Sequence, residues 1–210
     1  DFERALQAAA AAEAAVMRGD ALPLLHGLPM GVKDLLDTEG LLTTYGNVGL
    51  RAHVPAADHG LVARLRAAGA IITCKTNTPD MGAGANTRNP VWGATGMLPL
   101  CTGSDTGGSL RIPAALCGVV GLRPSPGLVA NRSRPLGWSA ISVLGPMARD
   151  VADTALMLSA CVGLDTHDAL SYDCAGSSLF PLCGTDLSTL RIGFTEDFGV
   201  CAVDASMTQV

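Results

Sequence analysis

The sequence lacks several features that would have assigned it to other classes of protein. It has no apolar run long enough to cross a bilayer and no cluster of Lys or Arg that would bind a nucleic-acid backbone. It has no C-x-x-C pair among its seven cysteines, so neither a metal site nor a dithiol redox motif is expected. We therefore expect no membrane or nucleic-acid partner, and mostly buried, reduced cysteines in the cytoplasm.

Signals are also missing at the N-terminus, which starts at Asp1 without an initiator methionine or a basic region before an apolar core. This start predicts no signal peptide and is typical of an internal position. The 210 residues are 48% hydrophobic and 16% charged, with a net charge of −5, which is typical of a globular domain with its own core. We expect one domain over residues 1–210, forming the N-terminal part of a larger one.

The most informative stretch runs from Ser104 to Pro113 and reads SDTGGSLRIP. Its adjacent glycines, Gly107 and Gly108, let the backbone turn sharply and bring main-chain N–H groups close to a ligand. Ser109 follows them directly and can present its hydroxyl beside those N–H groups. A nucleophile next to an oxyanion hole is the layout that acyl transfer requires.

A serine nucleophile needs a base, and the sequence offers one candidate besides histidine. The four histidines occur in no catalytic signature, and no G-x-S-x-G elbow is present. Lys33 follows a short strand-like apolar run, and a lysine in an apolar pocket can lose its proton and act as a base. From the residues alone, a surface lysine at the end of a strand is the favoured interpretation of Lys33.

Several segments resemble the amidase signature family, serine hydrolases that cleave amides with a Ser–cis-Ser–Lys triad. In the family's order they read GLPMGVKD (residues 27–34), KTNTP (75–79), SDTGGSLRIP (104–113), CGVVGLRPS (117–125) and GPMARDVAD (145–153). The resemblance implies an α/β fold with a mixed central β-sheet flanked by helices, here incomplete. It makes Ser109 the nucleophile and Lys33 the base, and it implies no metal or organic cofactor.

The resemblance also assigns roles around the nucleophile. The implied oxyanion donors are the backbone N–H groups of Thr106, Gly107, Gly108 and Ser109. The implied substrate channel is lined by Met81, Gly82 and Gly84. Small residues in that channel would leave room for a bulky acyl group.

Two charged residues flank the nucleophile, and an ion pair between them is the favoured interpretation. Asp105 and Arg111 can hold the loop in shape because a carboxylate and a guanidinium make fixed hydrogen bonds. Ser104 has two open interpretations: contact with substrate, or a hydrogen bond that satisfies the backbone.

One part of the family's pattern is absent. The family carries its middle catalytic serine in a GGSSGGS-like run upstream of the nucleophile, whereas here NPVWGATG is followed directly by MLPLC. We expect a gap or deletion between Gly96 and Met97, which would leave Ser109 and Lys33 without their middle serine. Either the protein lacks this segment or the sequence is incomplete at this point.

These features favour an amidase that hydrolyses the C–N bond of a small-molecule carboxylic amide through a serine acyl-enzyme. One alternative is a catalytically inactive amidase-like scaffold that binds ligands or partners, which the missing segment favours. Another is an amidotransferase A-type subunit, because such subunits share the same motifs. The particular amide substrate and the oligomeric state stay open, and a homodimer is one of the open alternatives.

Local patterns predict the elements that carry these motifs. Helices are expected at residues 2–18, 58–68 and 150–162, and strands at 30–33, 70–74, 98–101 and 190–194. Strand, helix and strand in succession predict a βαβ crossover with parallel pairing. His59, Arg132 and Arg134 are expected to be solvated.

Overall fold

The computed structural model describes most of the chain up to residue 174, and short stretches and single positions beyond it. The described residues are 2–84, 87–92, 100–134, 136–174, 179, 180, 182, 184, 186–191, 193, 195, 197–200, 202 and 203. The predicted junction between Gly96 and Met97 lies outside them.

A five-stranded mixed sheet forms the centre of the fold, in the order β2-β1-β3-β5-β4. Its strands are β1 (Pro29–Lys33), β2 (Ile71–Thr76), β3 (Leu100–Asp105), β4 (Val120–Gly121) and β5 (Val143–Ala148). β1 is parallel to both β2 and β3, whereas β5 is antiparallel to β3 and β4. The parallel β1–β2 pair is joined through a helix, so the predicted βαβ crossover is confirmed.

Four α-helices accompany the sheet in the described part of the chain: α1 (Phe2–Arg18), α2 (Gly60–Ala67), α3 (Arg111–Cys117) and α4 (Val151–Cys161). The alanine-rich α1 ends before Gly19, whose positive φ of 74° stops the helix. Asp150 caps α4 by accepting a hydrogen bond from the Asp153 amide at 2.8 Å, as its sequence predicts.

The hydrophobic core lies between the sheet and the pair α2 and α4. Its fully buried members include Met30 and Val32 of β1, Leu65 of α2 and Met157 of α4. Lys33 follows the buried residues of β1 directly, and because side chains alternate along a strand, it lies on the opposite face from Met30 and Val32. The fold is therefore α/β with a mixed sheet and flanking helices, which confirms the expected class.

Several local predictions are corrected. The strand expected at residues 98–101 runs on to Asp105, so Ser104 and Asp105 belong to β3 rather than to a loop. His59, expected to be solvated, is buried and caps α2 through its ring nitrogen, because the helix begins later than predicted. Arg134 is also buried, in an ion pair with Asp168 that offsets the cost of desolvation.

The strand expected at residues 190–194 is not found at its described positions. Leu190, Arg191 and Gly193 have no strand conformation. A short 3-10 turn, Leu187–Thr189, precedes them instead.

Candidate active site

The carboxyl ends of the three parallel strands meet at one edge of the sheet. Lys33 ends β1, Thr76 pairs with it at the end of β2, and Asp105 ends β3. Ligands in open α/β sheets bind outside the carboxyl ends of the strands. The sheet therefore brings the expected base and the start of the glycine loop to the edge where a ligand is expected.

The Lys33 side chain contacts β3. Its Nζ donates to the Ser104 Oγ at 2.9 Å and approaches the Ser104 carbonyl oxygen at 3.5 Å. The Lys33 main-chain amide donates to the Thr102 Oγ1 at 2.9 Å, which fixes the backbone of the same residue. Two hydroxyls of one strand, two residues apart, thus position both the main chain and the amine of Lys33.

The environment of Lys33 makes its amine easier to deprotonate than that of an ordinary lysine. Burial lowers its pKa to about 8, although the negative charge of Asp105 acts in the opposite direction. At neutral pH a useful fraction of this amine is therefore deprotonated and able to accept a proton.

Asp105 holds the glycine loop in shape. Its fully buried carboxylate accepts hydrogen bonds from the Gly108 amide at 2.7 Å and the Leu110 amide at 3.3 Å. It also pairs with the guanidinium groups of Arg111, at 3.0 Å, and Arg123, at 3.1 Å. Burial alone would raise the pKa of Asp105, but the hydrogen bonds from Arg111 and the two amides hold it well below its usual range.

The loop amides separate into two groups. The Gly108 amide, expected in the oxyanion hole, donates to Asp105 instead. The amides of Thr106, Gly107 and Ser109 donate to no acceptor among the described residues, and all three residues are exposed. Three main-chain donors in one exposed loop are available to an anionic oxygen.

The two expected catalytic residues are not in direct contact. Ser109 is exposed, and its side chain makes no hydrogen bond within the described part of the chain. Lys33 instead contacts Ser104, five residues before Ser109. A sequence signal for this contact exists, since in a strand Ser104 lies on the same face as Thr102. This signal can be used only if β3 is known to extend through Ser104. The local sequence does not predict that extent.

The residues expected to line a substrate channel follow β2 at the same edge of the sheet. Met81 and Gly82 belong to a 3-10 turn, Asp80–Gly82, whose Met81 amide donates to the Tyr45 carbonyl at 2.7 Å. Met81 is 58% exposed and adopts a positive φ of 49°. Gly84 lies two residues later with a φ of 132°.

A second buried lysine supports this edge. Lys75 Nζ donates to the Thr38 Oγ1 at 2.9 Å, the Thr43 Oγ1 at 3.2 Å and the Leu36 carbonyl, and it lies 3.9 Å from Asp34. Burial lowers its pKa to about 8, against the opposing charge of Asp34. With its donors committed to the segment after β1, Lys75 braces that segment rather than offering a base.

Neither a metal site nor a membrane span is found in the described residues. They contain no group of three or more His, Cys, Asp or Glu side chains placed to hold a metal ion. Among these same residues, no helix is both long and apolar enough to cross a membrane.

Comparison with known proteins places the chain in a family. The model of the Amidase family matches residues 1–96 and 94–210. The A-type subunit of the glutamyl-tRNA(Gln) amidotransferase of Roseiflexus castenholzii is 38% identical over 219 residues, covering 93% of this chain and 44% of the relative. An acylamidase of Rhodococcus erythropolis is 35% identical over 218 residues, covering 91% of this chain and 45% of the relative.

A solved structure agrees with the sequence comparisons. The structure of a bacterial aryl acylamidase of the amidase signature family superposes with a TM-score of 0.76 at 28% identity, covering 83% of this chain and 41% of the other. The chain thus spans less than half the length of the relatives it matches. The family model, the relatives and the fold agree, and the chain belongs to the amidase signature family.

Proposed function

We propose that this chain carries the catalytic centre of a serine amidohydrolase, which cleaves a small-molecule carboxylic amide to an acid and ammonia or an amine. One observation carries the proposal: the partly buried amine of Lys33 contacts a serine hydroxyl at the edge of the sheet where the glycine loop presents Ser109. A partly buried lysine with a lowered pKa, beside a hydroxyl and free amides, is suited to nucleophilic catalysis.

The proposed reaction proceeds through an acyl-enzyme. The Ser109 Oγ attacks the amide carbonyl while neutral Lys33 takes up the proton, and the amides of Thr106, Gly107 and Ser109 stabilise the oxyanion. The ammonium of Lys33 returns the proton to the leaving nitrogen as the C–N bond breaks. Water then attacks the acyl carbonyl by the same route and releases the acid. No step calls for a metal or an organic cofactor.

We also propose that the chain differs from its relatives at the junction between Gly96 and Met97. The match to the family model divides at residues 94–96, and the alignment with the Roseiflexus relative runs over 219 residues although the chain has 210. Both observations support extra residues in the relatives. A peptide map across this junction tests the proposal: a peptide joining Gly96 directly to Met97 supports it, and any intervening residues contradict it.

An amidotransferase A-type role is the second candidate, favoured by the 38% identity to the Roseiflexus relative. The same serine chemistry would then release ammonia for a partner protein instead of serving a free amide. We rank it second because identity to the acylamidase is nearly as high, at 35%. The five described cysteines are free thiols, which supports either reaction in a reducing compartment such as the cytoplasm.

A fluorophosphonate probe tests the proposed function. We expect it to label the native protein at Ser109, as located by peptide mapping, and the Ser109→Ala variant to resist labelling while melting at the native temperature. Ser159→Ala is the matched control, because among the described residues its hydroxyl bonds the Ala155 carbonyl within α4 and nothing near the candidate site. Absence of labelling in folded native protein would favour the non-catalytic scaffold and reject the amidohydrolase.

A further inference from the structure

We propose that Ser104 relays protons between Ser109 and Lys33, the role that the family resemblance gives to a middle serine. The proposal rests on the proposed function, because it concerns the same acyl transfer. It assigns Ser104 a role that neither substrate contact nor backbone satisfaction describes.

The contact with Lys33 is the first step of the argument. The Lys33 Nζ and the Ser104 Oγ are 2.9 Å apart, which is a hydrogen-bond distance for proton transfer in either direction. A serine hydroxyl both donates and accepts, so it can pass a proton to a neutral amine while it receives another. Among the described residues, this amine is the one hydrogen-bond partner of the Ser104 hydroxyl.

The Ser104 hydroxyl is not needed to complete the sheet. Ser104 lies opposite Leu144 in the antiparallel β3–β5 pair, so its main chain is already part of the ladder. Its hydroxyl satisfies no backbone group of the described residues, unlike that of Thr102, which accepts from the Lys33 amide. The Ser104 hydroxyl therefore contacts the expected base and not the backbone, which favours a chemical role for it over a structural one.

The glycine loop returns towards the end of β3 that carries Ser104. Asp105, the next residue after Ser104, accepts from the amides of Gly108 and Leu110. Ser109 lies between those two amides, so the loop is tied back to the strand on both sides of the nucleophile. The loop is thus anchored one residue from the Ser104 that contacts Lys33, and the relay requires the Ser109 and Ser104 hydroxyls to come within hydrogen-bond distance of each other.

The relay balances at each step. As the Ser109 Oγ bonds to the carbonyl carbon, its proton passes to the Ser104 Oγ, and the Ser104 hydroxyl proton passes to the lone pair of the Lys33 Nζ. The carbonyl π electrons move onto the oxygen. When the tetrahedral intermediate collapses, the C–N bond breaks and the proton returns through Ser104 to the leaving nitrogen.

A matched pair of variants tests the relay, because Thr and Val have nearly the same shape and differ by one hydroxyl. Both suit a strand position, since β-branched residues favour strands. We expect Ser104→Thr to be labelled by the fluorophosphonate at Ser109 within about 10-fold of the native rate, and Ser104→Val about 10²-fold to 10³-fold more slowly. Ser104→Ala should be as slow as Ser104→Val, and Ser159→Ala should match the native protein.

The pH dependence of labelling separates a relay from a structural role. In the native protein and Ser104→Thr the rate should rise with pH as Lys33 loses its proton, whereas in Ser104→Val that rise should be lost because the base is disconnected. Equal labelling of folded Thr and Val variants would overturn the relay while leaving Ser109 as the nucleophile. No labelling of the native protein would overturn the proposed function itself, and the relay with it.

Discussion

At the scale of single residues, the environment of Lys33 connects stability and chemistry. A pKa of about 8 instead of the ordinary 10.5 means that folding places a charged amine where a charge is unfavourable. The groups that face this amine are the charged carboxylate of Asp105 and the Ser104 hydroxyl. The burial of Lys33 therefore destabilises the fold, and the same burial makes its amine a base that can lose its proton.

Replacing Lys33 by Met should remove that cost. Below pH 8 the amine is charged in both states, and the shift corresponds to about 3 kcal/mol of lost folding free energy. Lys33→Met should raise the free energy of urea unfolding at pH 7 by up to this amount while abolishing labelling of Ser109. Between pH 8 and 10.5 the gain should shrink, because the folded lysine is already neutral and the unfolded one is losing its proton. A variant less stable than the native protein at pH 7 would contradict this reasoning.

The two loop glycines should respond differently to substitution by alanine. Gly108 has a φ of 116°, and a Cβ there would lie 2.6 Å from the Ile112 Cδ1, whereas a Cβ on Gly107 would meet nothing within 4 Å. We expect Gly108→Ala to lower the free energy of urea unfolding by about 1–3 kcal/mol and Gly107→Ala to change it by less than about 1 kcal/mol. Equal losses in the two variants would contradict a specific requirement for glycine at position 108.

At the scale of secondary-structure elements, Asp105 is the junction between β3, α3 and the segment after β4. Arg111 begins α3 and Arg123 follows β4, and both guanidinium groups converge on the one buried carboxylate. The Arg123 Nη1 also donates to the Asp105 carbonyl, and its Nη2 donates to the Ile141 carbonyl at 2.9 Å. The loop geometry therefore depends on this carboxylate, which joins both arginines and two loop amides.

Asp105→Ala should be strongly destabilising for that reason. Removing the carboxylate leaves the buried amides of Gly108 and Leu110 without their acceptor, at a cost of about 1–3 kcal/mol for each unsatisfied group. Urea unfolding should show a loss of this size, and labelling of Ser109 should fall as the loop loses its shape. Arg149→Ala is the control: it breaks the exposed Arg149–Asp153 pair, which joins the residue before the cap of α4 to its first turn and is worth about 0.5 kcal/mol or less. Similar losses in both variants would contradict a central role for Asp105.

The elements also show where sequence patterns are sufficient. Composition and caps predict α1 and α4 because their signals are local: an alanine-rich run ended by Gly19, and a capping Asp150. The extent of β3 is not predicted, because its polar and glycine residues favour a loop and are held in a strand by pairing with β5. Long-range pairing of this kind leaves no local signature.

The same reasoning applies to the site. The types of the site residues can be predicted, since SDTGGS resembles a family motif, but their contacts cannot. The Lys33–Ser104 hydrogen bond joins residues 71 positions apart, and the commitment of the Gly108 amide to Asp105 depends on the folded loop. Similarly, the burial of Arg134 becomes favourable only because Asp168 reaches it from 34 positions away.

At the scale of the whole molecule, buried carboxylates join distant parts of the chain. Asp165 pairs with Arg132 at 2.6 Å, and Asp168 pairs with Arg134 at 3.3 Å, so the segment after α4 is tied to the loop before β5. Burial alone would raise both pKa values. Hydrogen bonds from Arg132 and His167 nevertheless lower the pKa of Asp165 to about 2, and those from the Asn131 amide and Arg134 lower the pKa of Asp168.

These carboxylates should make the molecule sensitive to acid. A carboxyl group whose pKa is lower in the folded state stabilises the fold above its ordinary pKa of 3.8, and this contribution is lost as the pH falls towards the folded value. We expect the melting temperature to be constant between about pH 6 and 5 and to fall steeply from about pH 4 to 2. Asp165→Asn should melt lower than the native protein at pH 6 and lose less on acidification, because it has no proton to take up at this position. Asp20→Asn, at an exposed pair with Arg18, should follow the native curve. If Asp165→Asn also followed the native curve throughout, its ion pair would contribute nothing to the pH dependence, and the acid sensitivity would have to come from Asp105 and Asp168.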